Sequence, residues 1–191
     1  LGGPPDMESD WRTHLPRAHV YVYDNNSTDN TGKEAMAAGA VVRSEKAQGK
    51  GHVVRRMFGD IDADIYVLVD GDDTYDAASA PGLIRALSDG PFAMVAAARS
   101  DTGGQRVYPR GHRFGNWFLT RMIRWNFGGA FRDVLTGYRV FSRRFVKSFP
   151  CLASGFDIEA ELTIHCLTLR LPVTERDAPY RERPVGSLSK L

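Results

Sequence analysis

The most constraining feature of this sequence is an apolar run that ends in a cluster of acids, Tyr66-Val-Leu-Val-Asp70-Gly-Asp72-Asp73-Thr-Tyr-Asp76. Apolar runs of this kind are typical of buried parallel strands, and open α/β sheets bind ligands where such strands end. Clustered Asp side chains repel one another unless a cation compensates them. Carboxylates such as Asp70 and Asp72 are ligands that Mg²⁺ or Mn²⁺ prefers. The run predicts a metal site at a strand end; the alternative is an ordinary polar loop.

Alternating strand and helix patterns surround this run. The predicted strands are residues 19–23, 40–43, 64–69 and 92–97, and the predicted helices are residues 31–38, 52–60, 77–88, 112–127 and 157–169. Strands separated by helices of this length are typical of βαβ units and a parallel sheet. Residues 100–110 and 181–191 are predicted loops. With 191 residues and no shift in composition, the chain is expected to form one domain over residues 1–191.

Charge and composition exclude several classes of function. The net charge is only +2, but between residues 99 and 147 the only acids are Asp101 and Asp133. The Arg residues of that segment are dispersed among Gly and aromatic residues, which suits discrete phosphates better than nucleic acid. Two cysteines indicate no disulfide framework, and no apolar stretch is long enough to span a bilayer. We therefore expect a cytoplasmic protein without a nucleic-acid partner, with the cytoplasmic face of a membrane as one place of action.

Two further motifs have side chains suited to a nucleotide. The segment from Asp24 to Asp29, Asp-Asn-Asn-Ser-Thr-Asp, follows the first predicted strand, where Asp and Asn can contact a nucleobase. An ordinary turn that caps the next helix is the alternative. In Gln48-Gly49-Lys50-Gly51, a cation lies between two glycines just before a predicted helix. Such a segment can hold an anion at the helix N-terminus, although Gly-Lys-Gly also occurs in plain turns.

In this order and spacing, these motifs resemble family 2 glycosyltransferases of the GT-A fold, particularly the branch with dolichyl-phosphate mannosyltransferase and bacterial polyprenyl-phosphate glycosyltransferases. The resemblance extends over residues 20–191, and Asp70-Gly-Asp72 matches the family's Asp-x-Asp motif. Three later segments also match: Asp133-Val-Leu-Thr136-Gly137-Tyr138-Arg139, Ser154-Gly-Phe-Asp157-Ile-Glu159 and Arg183-Pro-Val-Gly186-Ser187-Leu-Ser189-Lys190. The resemblance implies a Rossmann-like α/β fold with a mostly parallel sheet flanked by helices.

The resemblance and the residue chemistry together imply a set of ligands and site residues. The donor is a UDP- or GDP-sugar, the cofactor Mg²⁺ or Mn²⁺, and the acceptor a lipid-linked phosphate at a membrane surface. Expected metal ligands are Asp70 and Asp72. Expected nucleotide-sugar contacts are Asp24, Asn25, Asp29, Lys50, Asp70 and Arg99. Expected acceptor or phosphate contacts are Arg113, Thr136, Arg183, Ser187 and Lys190, and the catalytic candidates are Asp72, Arg139 and Asp157.

The nature of the acceptor decides the role of Asp157. A phosphate monoester has a second pKa of about 6 and is already an anion near neutral pH, so it requires no strong base. A hydroxyl acceptor would require one, and Asp157 at the start of a predicted helix is then the candidate. Glu159 lies two residues further along and is expected to point away from Asp157, as an orienting group.

The sequence also departs from the family and leaves alternatives open. Family members begin with a strand that ends in a Tyr-Asn-Glu-type loop, and residues 1–16 show no such strand. We therefore expect the first strand to be missing and the loop at 181–191 to be truncated. The pattern Asp70-x-Asp72-x-Thr74 also fits the nucleophile motif of haloacid-dehalogenase-type phosphatases, although that motif normally ends the first strand. A non-catalytic sugar-nucleotide-binding module and a basic membrane-docking module are further alternatives.

Overall fold

Strands and helices alternate through the first half of the computed structural model, which describes residues 11–101, 121 and 131–181. The strands are β1 (Tyr21–Asp24), β2 (Val41–Ser44), β3 (Ile65–Leu68), β4 (Met94–Asp101), β5 (Arg139–Ser142) and β6 (Val173–Tyr180). The helices are α1 (Thr31–Ala37), α2 (Lys50–Asp60), α3 (Ala80–Asp89), α4 (Arg143–Ser148) and α5 (Ile158–Thr168). A short 3-10 turn, Ala77–Ser79, precedes α3. Among these residues, no helix has the length and apolar character needed to cross a membrane.

The strands form two sheets that together define an α/β fold. Strands β1 and β2 pair in parallel, from Tyr21 opposite Val41 to Asp24 opposite Ser44. The second sheet has the order β3-β5-β4-β6. Strands β4 and β6 are parallel, whereas β5 is antiparallel to both of its neighbours. The predicted α/β class with parallel strands flanked by helices is confirmed, but the second sheet is mixed because of β5.

Side chains of β4 alternate between two hydrophobic layers. Met94 and Ala96 belong to one buried cluster, while Val95 and Ala97 belong to the other. Since successive side chains of a strand point to opposite faces, the sheet separates these two clusters. Helices α2, α4 and α5 supply the first cluster, and α3 with the helical residues 11–14 supplies the second. The four-stranded sheet is therefore the middle layer of three, which leaves its strand ends as the place for a site.

The predicted element positions agree with the structure where local periodicity is strong. Predicted strands at 19–23, 40–43 and 64–69 correspond to β1, β2 and β3, and predicted helices at 31–38, 52–60 and 157–169 to α1, α2 and α5. Strand β4 extends into the predicted loop at 100–110. The sequence analysis assigned no element to β5, α4 or β6. The predicted helix at 112–127, apart from residue 121, and the loop after residue 181 lie outside the described residues.

No strand precedes β1 in residues 11–20, the described part of the N-terminal segment, and residues 11–14 are helical. Residues 1–10 lie outside the described residues, so the expected lack of the family's first strand stays a prediction. Strands β1 and β3 belong to different sheets. The expectation of a single domain over residues 1–191 stays a prediction.

The guanidinium of Arg139, at the start of β5, is fully buried and holds three segments together. It donates to the backbone oxygens of Val134 (2.6 Å) and Thr136 (3.0 Å). It also donates to the backbone oxygen of Glu159 (3.0 Å) and to Oγ1 of Thr163 (2.8 Å) in α5. Burial lowers the pKa of Arg139 from its ordinary value. The predicted catalytic role of Arg139 is wrong, because its donors point into the core.

We predict that Arg139→Met destabilises the fold by roughly 2–4 kcal/mol, since several buried backbone acceptors lose their donor at once. Urea denaturation followed by circular dichroism measures the change in free energy of unfolding. The control is Arg144→Met, the same substitution at an exposed position of α4, which should change the stability by no more than about 0.5 kcal/mol. Equal urea midpoints for the two variants would contradict a structural role for Arg139.

Candidate functional site

Three charged side chains from distant parts of the chain meet beyond the end of β3. Lys50 begins α2, Asp70 follows β3, and Glu159 lies in the first turn of α5. The Nζ atom of Lys50 donates to Oδ1 of Asp70 and, at 2.5 Å, to Oε1 of Glu159. The side chains of Lys50, Asp70 and Glu159 are 16%, 32% and 12% exposed, respectively. The cluster is therefore nearly buried, and Asp70 is its most accessible member.

Two carboxylates share one ammonium group in this cluster. Burial opposes the charge of Lys50, but the attraction of Asp70 and Glu159 outweighs it, so that the pKa of Lys50 lies above its ordinary value. Burial also raises the pKa of Glu159, more than the nearby Lys50 lowers it. With Lys50 and both carboxylates charged, the cluster carries one excess negative charge. It is therefore suited to attract a further cation from the side of Asp70.

The carboxylate of Asp70 lies directly against the backbone at Gly137. A Cβ atom added to Gly137 would lie only 2.1 Å from Oδ2 of Asp70. The hydroxyl of Tyr75 accepts a hydrogen bond from the backbone nitrogen of Gly137 (2.9 Å), which holds the segment in place. Only a glycine permits this approach, so the segment helps to orient Asp70.

Thr136 lies next to Gly137 but is fully buried. Its Oγ1 atom lies 3.4 Å from the Tyr75 hydroxyl and accepts from the backbone nitrogen of Tyr138. The predicted acceptor or phosphate contact of Thr136 is therefore wrong, because a bound substrate cannot reach a buried hydroxyl. Thr136 instead packs inside the loop that positions Gly137.

The carboxylates of Asp70 and Asp72 have the chemistry that a hard divalent cation requires. Oδ1 of Asp72 accepts from the backbone nitrogen of Thr74 (3.3 Å) and from its hydroxyl (2.5 Å), which holds the loop. Within the described ranges, no three His, Cys, Asp or Glu side chains are grouped so that they could hold a metal. The two Asp residues fit an ion that takes its remaining ligands from water and from a substrate, as Mg²⁺ commonly does.

Asn25 connects the loop after β1 to the start of α2. Its Nδ2 atom donates to the backbone oxygens of Glu45 and Ala47, each at 2.8 Å. Its Oδ1 atom accepts from the backbone nitrogen of Gly49, also at 2.8 Å. The side-chain amide predicted to contact a base is thus used to position the residue before Lys50. This support for Lys50 was not foreseen from the sequence.

Asp24 and Asp29 also lie in the loop predicted to contact the nucleotide. Asp24 accepts from the backbone nitrogen of Ser27 (3.3 Å) and remains partly exposed. Asp29 is exposed and accepts from the hydroxyl (2.5 Å) and backbone nitrogen (3.0 Å) of Thr31 at the start of α1. These hydrogen bonds lower the pKa of Asp29. The nucleotide contacts of Asp24 and Asp29 stay predictions.

The glycines on either side of Lys50 allow a second loop to approach. A Cβ atom at Gly49 would lie 2.2 Å from the backbone oxygen of Ser154, and one at Gly51 would lie 2.2 Å from that of Ala153. Gly49 also has a φ of +130°, which favours glycine. The Gly-Lys-Gly segment thus allows close backbone packing, while the side chain of Lys50 points to Asp70 and Glu159.

Two charged side chains clamp the residues that follow Cys151. Arg55 donates to the backbone oxygens of Cys151 (2.8 Å), Leu152 (3.2 Å) and Ala153 (3.3 Å). Glu161 accepts from the backbone nitrogens of Leu152 and Ala153, each at 2.8 Å. We call residues 151–157 the clamped loop. A loop held in this way keeps its shape without help from a ligand.

The clamped loop presents apolar and acidic side chains to solvent. Leu152 is 77% exposed and Phe156 is 48% exposed. Asp157, at the end of the loop, is exposed, and its Oδ1 atom accepts from the backbone nitrogen of Gly155 (3.0 Å). The predicted general base is therefore accessible, while its catalytic role stays a prediction.

The remaining predicted site residues are placed differently. Arg99 forms a bidentate ion pair with Asp133, with Nε to Oδ2 at 2.5 Å and Nη2 to Oδ1 at 2.7 Å. Its guanidinium also lies 5.4 Å from the ring centre of Tyr180. These contacts commit Arg99 to holding β4 and β6 together with the segment at Asp133. Arg113, Arg183, Ser187 and Lys190 lie outside the described residues.

Glu159 belongs to the charged cluster, although the sequence predicted only an orienting group at this position. It was expected to point away from Asp157, and this is what the structure shows, since Asp157 is exposed and Glu159 is buried. The side of α5 that faces away from Asp157, however, is the side that meets Lys50. A useful signal was the position of Glu159 directly after Ile158 and four residues before Thr163, on a side of the helix that also carries Leu162 and Cys166, because a buried acid requires a cationic partner.

Known proteins resemble this chain in sequence. Residues 11–149 match the family model described as glycosyl transferase family 2. Glycosyltransferase AglJ of Haloferax volcanii is 34% identical over 187 residues, which are 97% of this chain and 61% of that protein. Protein RfbJ of Shigella flexneri is 54% identical over 105 residues, which are 55% of this chain and 81% of that protein.

A solved structure shows the same fold. It is the crystal structure of glucosyl-3-phosphoglycerate synthase from Mycobacterium tuberculosis in complex with Mn²⁺, UDP-glucose and phosphoglyceric acid. The sequences are 26% identical, the TM-score is 0.71, and the alignment covers 94% of this chain and 68% of that one. The chain thus spans about two thirds of that enzyme and 61% of the Haloferax volcanii relative.

We predict that Gly137→Ala lowers Mn²⁺ affinity by at least about tenfold, because the new methyl group would displace the Asp70 carboxylate. The cost in stability should be about 1–3 kcal/mol, as for other overpacked positions. Isothermal titration calorimetry with Mn²⁺ in the presence of UDP measures the affinity.

The control is Gly82→Ala in α3, where a Cβ atom would meet nothing within 4 Å. It should raise the stability by about 0.5–1 kcal/mol and leave Mn²⁺ affinity unchanged. Wild-type Mn²⁺ affinity in Gly137→Ala would rule out an orienting role for this contact.

Proposed function

Because the chain belongs to glycosyl transferase family 2, we propose that it transfers a sugar from a nucleoside-diphosphate sugar to a lipid-linked phosphate, such as a polyprenyl or dolichyl phosphate. Transfer would proceed with inversion at the anomeric carbon. The observation that carries the proposal is the pair Asp70 and Asp72 beyond the end of β3, with Lys50 in contact with Asp70. The family assignment also excludes the phosphatase alternative.

On the side of the sugar donor, the proposal concerns the nucleoside diphosphate, which is the leaving group. Negative charge grows on the diphosphate as the glycosidic bond breaks, and fixed positive charge near it lowers the barrier. Asp70 and Asp72 would hold Mg²⁺ or Mn²⁺, which supplies Lewis-acid stabilisation of that charge. Lys50 adds a positive charge at the same strand end. The Mycobacterium tuberculosis relative, in complex with Mn²⁺ and UDP-glucose, makes a uridine nucleotide the first donor to test.

The acceptor side of the proposal rests on the clamped loop. It exposes two large apolar side chains, Leu152 and Phe156, on a backbone that Arg55 and Glu161 hold in place. An apolar surface next to a phosphate-handling site suits an acceptor with a hydrocarbon chain. Arg183, Lys190 and Arg113 are the proposed counter-charges for the acceptor phosphate, with Ser187 as a hydrogen-bond donor to it. Such an acceptor would bring the protein to a membrane surface.

Transfer to a hydroxyl group is the second candidate. Asp157 is exposed at the end of the clamped loop and could accept the proton of such a group. The complex of the Mycobacterium tuberculosis relative with phosphoglyceric acid, which has both a phosphate and a hydroxyl, favours considering this reaction. The two candidates differ in whether a base is required.

We predict that Asp72→Asn lowers transfer by at least about 100-fold, the size of effect seen when one stabilising group for a developing charge is removed. Its stability should be unchanged or slightly higher, since repulsion among the clustered acids falls. Sugar transfer from UDP-glucose and from other sugar nucleotides is measured after chelator treatment and return of Mn²⁺. Thermal denaturation checks the fold.

Asp73→Asn is the matched control. It removes the same charge one position along, and Asn tolerates the φ of +57° found at Asp73. Transfer should remain within a few-fold of the wild type. Equal losses in the Asp72 and Asp73 variants would show that total charge matters and would contradict a metal-binding role for Asp72 in particular.

We predict that the acceptor can be identified from Asp157→Asn, Arg183→Gln and Lys190→Gln. With a phosphate acceptor, Asp157→Asn keeps appreciable turnover, while each neutralised cation raises the KM for polyprenyl phosphate by about tenfold or more, as expected when a charged hydrogen bond is lost. With a hydroxyl acceptor, Asp157→Asn loses about 10²- to 10⁴-fold in rate. Near-complete loss in Asp157→Asn with no effect of the other two would refute the lipid-phosphate proposal.

A further inference from the structure

Lys50 donates a hydrogen bond to Oδ1 of Asp70, one of the two carboxylate oxygens that a divalent cation could bind. We propose that Lys50 is a resident cation of this site, which a divalent metal ion displaces from Asp70, and that Glu159 retains the displaced ammonium group close to the metal. The inference rests on the proposed function, because it takes Asp70 and Asp72 as the metal ligands.

The surroundings of Asp70 limit where a metal ion can bind to its carboxylate. Its Oδ2 atom lies against Gly137, where even a Cβ atom would come within 2.1 Å. Its Oδ1 atom accepts the hydrogen bond from Nζ of Lys50. Its Cγ and Oδ1 atoms would also lie only 2.5 Å and 2.8 Å from such a Cβ atom, so the whole carboxylate packs against the backbone at Gly137. A metal ion that binds Asp70 at this position therefore competes with the ammonium group of Lys50.

Glu159 is a second hydrogen-bond acceptor for Lys50, and a metal ion on Asp70 would leave this hydrogen bond in place. Its Oε1 atom lies 2.5 Å from Nζ of Lys50, and its side chain is only 12% exposed. Arg139 holds the backbone oxygen of Glu159 and the hydroxyl of Thr163, so the start of α5 is fixed in the core. The ammonium group can thus leave Asp70 and still keep its hydrogen bond to Glu159.

The backbone of Lys50 is held on both sides, so the exchange requires movement of its side chain only. Gly49 donates its backbone N–H to Asn25 (2.8 Å), and Gly51 donates its own to Ser154 (3.1 Å). After the exchange, the ammonium group and the metal ion lie near each other and repel. A diphosphate brings negative charge to both cations and relieves this repulsion. Metal and nucleotide should therefore bind cooperatively, each raising the affinity for the other by the same factor.

The experiment measures Mn²⁺ binding to the full chain by electron paramagnetic resonance, with and without UDP. In Lys50→Met, Mn²⁺ alone should bind about tenfold more tightly than in the wild type, and UDP should increase Mn²⁺ affinity by a smaller factor. Lys46→Met is the matched control, since Lys46 is an exposed cation in the loop between β2 and α2. It should change Mn²⁺ affinity by less than about threefold.

A double variant separates displacement of Lys50 from a general charge effect. Glu159→Gln removes the negative charge that competes with Asp70 for the ammonium group, so Lys50 should stay on Asp70 and Mn²⁺ without UDP should bind several-fold more weakly. In the Lys50→Met background, the same Glu159→Gln change should have little effect, because Glu159 acts through Lys50. An undiminished effect of Glu159→Gln in that background would overturn the positioning role of Glu159.

Lys50→Met also leaves the partly buried carboxylates of Asp70 and Glu159 without a cation, which can prevent folding. A measurement on the wild type tests the proposal in that case. The NMR signal of the Lys50 ammonium group, assigned from its loss in Lys50→Arg, should shift when Mg²⁺ and UDP are added, while that of Lys46 should not. An unchanged Lys50 signal at saturating Mg²⁺ and UDP would overturn the proposal.

The outcomes distinguish this inference from the proposed function. If the wild type binds no Mn²⁺ even with UDP, the metal-dependent function itself fails and the inference with it. If the wild type binds Mn²⁺ with UDP, but Lys50→Met binds Mn²⁺ no more tightly than Lys46→Met, only the resident-cation inference is overturned.

Discussion

The guanidinium of Arg139 holds the backbone on both sides of the candidate site. Two of its acceptors, the backbone oxygens of Val134 and Thr136, belong to the segment that leads into Gly137. A third, the backbone oxygen of Glu159, belongs to the first turn of α5. The same buried charge therefore sets how close Gly137 comes to Asp70 and where Glu159 meets Lys50. A buried Arg without these acceptors would be very costly, so its partners and its position depend on one another.

Close backbone contacts give the site its shape. Gly137 lies against Asp70, while Gly49 and Gly51 allow the backbone of the clamped loop to pack against the start of α2. In each contact, a backbone segment and not a flexible side chain fixes the position of a charged group, which is Asp70 at Gly137 and Lys50 between Gly49 and Gly51. Backbone packing of this kind preorganises a site, so that less order has to be created when a ligand binds.

The sequence predicted those parts of the molecule whose signals are local. Hydrophobic periodicity located β1 to α3, and the acids after β3 located Asp70 and Asp72. Strand β6 has the polar sequence Val-Thr-Glu-Arg-Asp-Ala-Pro-Tyr, and it forms because all eight residues pair with β4, far away in the chain. Arg139 was predicted to be catalytic because it ends a segment that matches the family and lies in the part of the chain with few acids; that Arg is rarely buried made a core position unexpected. Its partners come from segments that only the fold brings together, and so does the contact between Lys50 and Glu159.

The cluster of Lys50, Asp70 and Glu159 lowers the stability of the fold but suits the proposed binding of a cation. Two nearly buried carboxylates that share one ammonium group leave charge uncompensated, and burial of this kind weakens a fold unless it serves another purpose. Under the proposed function, the site takes up a metal ion and a diphosphate, and such a site needs charges that can exchange partners. Helix α5 starts directly after Asp157, the last residue of the clamped loop, and carries Glu159 toward Lys50, so one helix start supports both the proposed donor side and the proposed acceptor side. If Lys50 moves from Asp70 to Glu159, the change acts on the start of α5, which is next to the proposed acceptor surface.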